Sequence, residues 1–90
     1  MEFEWDASKA AGNRSKHGVS FEEAQSAFSD PMALVVFDVR HSNHEDRYLL
    51  IGISDRGRLL TVSYTKRDDK TRIISARTAT KGEAKAYAGA

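Results

Sequence analysis

Arg47-Tyr48-Leu49-Leu50-Ile51-Gly52-Ile53-Ser54-Asp55-Arg56-Gly57-Arg58-Leu59-Leu60-Thr61-Val62-Ser63-Tyr64-Thr65 decides the fold. Two runs rich in β-branched, aliphatic and aromatic residues flank the short segment Asp55-Arg56-Gly57-Arg58. Such runs predict strands over 47–54 and 59–65. So tight a turn between them predicts an antiparallel hairpin.

The same pattern extends on both sides. Upstream, Ala33-Leu34-Val35-Val36-Phe37-Asp38-Val39 predicts a strand, followed by a polar loop from Arg40 to Asp46. Downstream, a turn over 66–71 leads to a strand over Arg72-Ile73-Ile74-Ser75-Ala76-Arg77. Simple alternation puts Arg72, Ile74 and Ala76 on one face of that strand, and Ile73, Ser75 and Arg77 on the other. Tyr64 shares a face with Leu60 and Val62. Thr80 and Glu83 have capping-box spacing and predict a last helix toward Tyr87.

The N-terminal third changes period. Asp6 is a good N-cap for a polar helix running to about His17, and Gly18 suits its left-handed end. Ser20 and Glu23 repeat the capping-box spacing, with Val19 and Ala24 placed as a hydrophobic staple. The second helix runs from Phe21 to about Phe28, where Ser29-Asp30-Pro31 stops it. Phe3-Glu4-Trp5 is a short apolar–polar–apolar stretch suited to an edge strand. The expectation is an α+β fold: two N-terminal helices, a four-stranded antiparallel sheet with a possible short extra N-terminal strand, and a C-terminal helix.

Ninety residues suit a single domain spanning 1–90 with a small core. There is no cysteine, which excludes disulfides, thiolate metal sites and cysteine catalysis. The acidic N-terminus lacks a signal-peptide core, and no apolar run approaches membrane-spanning length. No membrane partner is implied, and a cytoplasmic location is the expectation. The net charge of +1 hides an asymmetry: residues 1–54 carry five basic against nine acidic residues, whereas 55–77 carry seven against three. A basic C-terminal half suits a polyanion, although charged hairpin turns facing water give the same pattern.

An antiparallel sheet covered by helices on one face leaves the other free to bind. Arg67 and Arg77 flank the last two strands. Arginine suits phosphate because its planar fork donates two parallel hydrogen bonds and keeps its charge. The loop from Arg40 to Arg47 gathers His41, His44, Glu45 and Asp46. An H-x-x-H pair without further ligands at a supporting spacing does not make a zinc site, so no metal is assigned. Acid–base work favours a histidine or a carboxylate tuned by its neighbours. Lys16 and His17 end a helix, where a cation is favoured and can also reach a phosphate.

Several segments together resemble the BrnT family, the ribonuclease toxins of BrnT–BrnA pairs. They are Phe3-Glu4-Trp5-Asp6; Asn13 with Lys16 through Ala24; Phe28 with Asp30-Pro31; Glu45-Asp46-Arg47-Tyr48 leading to Ile51-Gly52; Tyr64-Thr65 with Arg67; and Arg72 through Arg77. The resemblance implies a RelE-like fold and an endoribonuclease that arrests translation and growth without a cofactor. It also implies a cognate BrnA-like antitoxin with a ribbon-helix-helix part, in a complex of two toxins and two antitoxins that alone reaches promoter DNA. The family's recurrent polar pattern matches at Lys16, His17, Arg47, Arg67 and Arg77. By this resemblance Arg67 and Arg77 stabilise phosphate charge, His17 is the candidate acid and Glu45 the candidate base. Lys16, Arg47, Tyr64, Lys66 and Arg72 are expected on the RNA-binding surface. The segment Lys81 to Tyr87 departs from the family in carrying few basic residues. A rival expectation is a non-catalytic module of the same fold that only binds its antitoxin.

The chemistry expected is metal-independent: the ribose 2′-hydroxyl attacks the adjacent phosphate, leaving a cyclic phosphate and a 5′-hydroxyl end. Such a reaction needs a base, an acid and cationic stabilisation.

Overall fold

The computed structural model describes residues 1–89. Its elements are β1 (Glu2–Glu4), α1 (Ala7–His17), α2 (Phe21–Ala27), β2 (Leu34–Phe37), β3 (Arg47–Ile53), β4 (Leu59–Arg67), β5 (Lys70–Thr78) and α3 (Lys81–Tyr87). A single 3-10 turn, Val39–His41, interrupts the loop before β3. The strands form one sheet in the order β1-β5-β4-β3-β2. The four long strands pair antiparallel as the short turns require, but β1 also joins, running parallel to β5. The sheet therefore holds the four antiparallel strands expected, and the short N-terminal strand joins it as a fifth, parallel member at the edge.

The β4–β5 turn is tighter than the sequence suggests. Both strands extend to meet at Asp68-Asp69, whose φ angles of 51° and 68° make a left-handed two-residue turn matched to the twist of a hairpin. Aspartate tolerates that region better than most residues.

Helices α1 and α2 cover one face of the sheet. Val19, Phe21, Ala24, Leu60, Val62, Ile73 and Ala76 form its main core, with Trp5 and Phe3 packed against it. Fully burying a side chain such as Phe21, Leu60 or Ile73 stabilises the fold by about 1.5–3 kcal/mol. A second cluster joins Ala27, Leu50 and Tyr64. At Gly52 the end of α2 approaches so closely that a Cβ would lie 2.9 Å from the Ala27 carbonyl oxygen, so only glycine fits there.

Strand β5 does not alternate simply. Ser63 pairs with Ser75 but Tyr64 with Ile73, so Ile74 is a bulge residue without a partner. The extra residue shifts the phase. Ile73 and Ala76 both face the helices, while Ile74, Ser75 and Arg77 all line the opposite face. The alternation expected from sequence, which separated Ile73 from Ala76, is corrected by this bulge.

The α1–α2 joint follows its capping residues. Gly18, at φ 68°, closes α1 through its N–H to the Arg14 carbonyl. Ser20 Oγ accepts from the Glu23 N–H at 3.0 Å. The second half of that box is absent. Glu23 is 4% exposed, and its carboxylate instead accepts from Ser54 Oγ at 2.7 Å and from two donors of Arg58. Arg58 also donates to the Gly18 carbonyl, so the joint is tied to the β3–β4 hairpin.

Asn13 ties α1 to the edge of β5. Beyond Arg72 no strand covers that edge. The Asn13 amide takes the place of a peptide there: it accepts from the Ala76 N–H at 3.0 Å and donates to the Ala76 carbonyl at 2.8 Å. It also donates to the Val19 carbonyl at 2.9 Å.

Candidate functional site

The sheet face away from α1 and α2 carries a cleft of about 390 Å³. Leu49, Ser63 and Ser75 lie on its floor, contributed by β3, β4 and β5. The segment Asp38–His41 and Arg47 wall one end, and Arg77 the other. A second hollow continues past Arg40, His41 and Arg47 to His44 and Glu45. Three arginines, Arg40, Arg47 and Arg77, thus converge on one groove, and Arg67 borders it through Glu45.

Helix α3 closes the Arg77 end. Arg77 donates to both Glu83 oxygens, at 2.6 and 2.9 Å, a bidentate pair. Glu83 also completes the capping box predicted for α3 by accepting from the Thr80 N–H, and it accepts from Thr61 Oγ1 at 2.8 Å. The Arg77 hydrogen bond, helped by those from Thr80 and Thr61, lowers the Glu83 carboxyl from 4.5 to about 2 against the opposing cost of burial. The far end of α3 is held by Tyr87, whose hydroxyl donates to Asp30 at 2.6 Å. Because the folded value of Glu83 lies below its unfolded one, its contribution is complete above about pH 4.5 and is lost as pH falls through about 2. In an acid titration followed by amide exchange, α3 is expected to loosen across that window. Glu83→Gln is expected to abolish this step; an unchanged profile in the variant would refute the assignment.

At the other end, Asp38 leaves β2 and opens the 3-10 turn that carries His41. Its Oδ2 lies 2.9 Å from His41 Nδ1. The Asp38 side chain is 11% exposed and the His41 side chain 64%. An ionised carboxylate can only accept, so Nδ1 carries a proton, and in the neutral ring the lone pair then lies on Nε2. Beside it, Arg47 Nε is the only buried side-chain nitrogen or oxygen without a hydrogen-bond partner among the described residues.

The residues singled out from sequence separate in space. Arg47 and Arg77 line the cleft. Glu45 and Arg67 sit at its margin, joined at 3.0 Å. That hydrogen bond, the largest cause, holds Glu45 below the ordinary carboxylate range and makes it a weaker base. Arg72 pairs with Glu4 at 3.3 Å, and Lys66 Nζ donates to Thr71 at 2.9 Å. Lys16 and His17 are exposed at the end of α1, the helix covering the opposite face. Tyr64 is 6% exposed, with its ring against Phe28 and Tyr48, so the RNA surface expected of it is corrected to a core position. Its sharing a face with Leu60 and Val62 was the available signal. Asp38 and Arg40 were missed, and His41 was not recognised as half of a pair. The i,i+3 spacing of Asp38 and His41 has meaning only once the loop is known to turn.

Among the described residues no three of His, Cys, Asp or Glu gather as a metal-binding group. No helix among them is long and apolar enough to cross a membrane.

An α+β fold with an arginine-lined cleft on the open sheet face suits a small RNA-directed toxin, and the family comparison gives that class. The model of the ribonuclease toxin BrnT, of type II toxin–antitoxin systems, matches residues 5–83. The chain belongs to the BrnT ribonuclease toxin family. A cognate antitoxin partner goes with that membership. The fold is similar to that of the Brucella abortus ribonuclease toxin BrnT, known from a 1.1 Å crystal structure. The TM-score is 0.69 at 24% identity, over 90% of this chain and 99% of that one. No curated protein sequence matches significantly.

Proposed function

We propose that this chain cleaves RNA at the cleft, by metal-independent attack of the 2′-hydroxyl on its own phosphate, and so arrests translation and growth. The observation that carries this reading is the convergence of Arg40, Arg47 and Arg77 on an open sheet face that also presents the hydroxyls of Thr61, Ser63 and Ser75 between Leu49 and Ile74. Guanidiniums supply charge where the pentacoordinate phosphate accumulates it. Arg67, at the margin, extends the cationic track toward neighbouring phosphates. The antitoxin is proposed to carry a ribbon-helix-helix part and to assemble two-to-two with the toxin, reaching promoter DNA on the toxin's behalf.

Purified chain incubated with RNA in excess chelator is expected to cleave at the rate seen without it, leaving cyclic-phosphate and 5′-hydroxyl ends. Arg77→Ala is expected to lower that rate about tenfold, since Glu83 already occupies part of the guanidinium. Cleavage abolished by chelator would overturn the metal-independent mechanism, and full activity in the variant would remove Arg77 from it.

The non-catalytic alternative draws on one observation. Val35, Val36 and Phe37 of edge strand β2 are 52%, 42% and 45% exposed, an apolar surface of the kind that binds partners. Growth arrest on expression without antitoxin separates the readings: arrest supports the toxin, and unimpaired growth the binding module.

A further inference from the structure

We propose that His41 is the general base of the cleft and Asp38 the residue that positions it. The inference rests on the ribonuclease reading and deepens it by naming the group that takes the proton.

His41 has what the other candidates lack. It lines the arginine cleft, whereas His17 ends a helix on the opposite face. It is the only histidine paired with a carboxylate among the described residues. Glu45, the carboxylate alternative, is committed to Arg67. The geometry does two things. Asp38 is anchored at its own backbone, donating its N–H to the Arg47 carbonyl at 2.8 Å and accepting at its carbonyl from Ser42 Oγ at 2.6 Å. The carboxylate, fixed in this way, holds Nδ1–H and leaves Nε2 free in an exposed ring. The charged groups that share the cleft with that ring are Asp38 and Arg40 from its own turn, Arg47 from β3 and Arg77 from β5 at the far end, and Glu45 lies in the adjoining hollow, which His44 also lines.

The step balances without a cofactor. Nε2 takes the proton of the 2′-hydroxyl as that oxygen bonds to phosphorus. The bond from phosphorus to the 5′-oxygen breaks, and the 5′-oxygen leaves with the electron pair. It takes a proton from water, and the hydroxide formed neutralises the imidazolium. The neighbouring guanidiniums stabilise the phosphorane oxygens.

The test uses the whole chain and a single-stranded RNA of mixed sequence, with the all-2′-deoxy oligonucleotide as a binding probe that cannot react. His41→Gln is expected to lower the cleavage rate 10²-fold or more and to bind the deoxy probe within twofold of wild type. His41→Gly is expected to recover at least tenfold when imidazole is added. Asp38→Asn is expected to lower kcat about tenfold with KM unchanged. Wild-type chain that cleaves no RNA would overturn the ribonuclease reading and this one with it. Wild-type cleavage retained within threefold by His41→Gln, or a His41→Gly variant that imidazole does not restore, would overturn the base assignment and leave the ribonuclease reading standing.

Discussion

Asn13→Ala is expected to destabilise the chain by about 3 kcal/mol. Asn13 is 8% exposed and its amide makes three hydrogen bonds to main-chain atoms, at 2.8, 2.9 and 3.0 Å. Alanine strands the Ala76 N–H and two carbonyls together, and each unsatisfied buried group costs roughly 1–3 kcal/mol. Water reaching the edge of β5 recovers part of this, so the loss is set at the low end of the roughly 3–9 kcal/mol that three such groups would cost. For a chain of this length the loss corresponds to a fall in Tm of roughly 12–24 °C. Thermal unfolding followed by circular dichroism measures it. Asn13→Asp is expected to be no better, because a carboxylate cannot donate to the Val19 and Ala76 carbonyls. A loss below 1 kcal/mol for both variants would mean that α1 is not held through this amide.

Arg47→Ala is expected to reduce RNA cleavage by about 10²- to 10³-fold while leaving Tm within a few degrees. Arg47 begins β3 between the cleft and the adjoining hollow, and its Nη2 lies 3.9 Å from Glu45 Oε1. Its Nε donor is unpartnered, so little native hydrogen bonding is lost with it. What is lost is a fork for the phosphate. Arg47→Lys separates charge from shape: an ammonium keeps the charge but not the paired planar donors. The lysine variant is therefore expected to recover less than a tenth of wild-type activity. Steady-state cleavage with kcat and KM resolved checks both. Wild-type rates in Arg47→Lys would show that charge alone suffices there.

Much of the fold was legible because local signals agreed with one another. The hairpin turn at Asp55–Arg58, the cap at Ser20 and the box at Thr80–Glu83 each depend on a few adjacent residues, and each forms. The parallel pairing of β1 was not legible, because three residues carry no register and their partner lies at the other end of the chain. The Ile74 bulge was hidden because Ile73 and Ile74 are identical side chains, so either frame buries an isoleucine. The cleft was legible in its arginines but not in its acid–base pair. The β-rich run Ala33–Val39 places Asp38 in a strand, and only the turn after Phe37 brings its carboxylate back to His41. Glu23 and Glu83 show the converse. Their spacing announced caps, yet one carboxylate serves Arg58 instead and the other serves Arg77 as well, contacts set by tertiary structure.

The Ile74 bulge gives β5 two reading frames. Odd positions before it face the helices, and even positions after it do. One inserted residue is therefore what allows a strand to offer Ile73 and Ala76 to the core while turning Ser75 and Arg77 outward. The frame shift couples the two ends of the strand. A deletion that made β5 regular would have to expose core or bury a guanidinium, whichever end kept its register. The chain can vary freely in what occupies position 74, but not in there being a residue to occupy it.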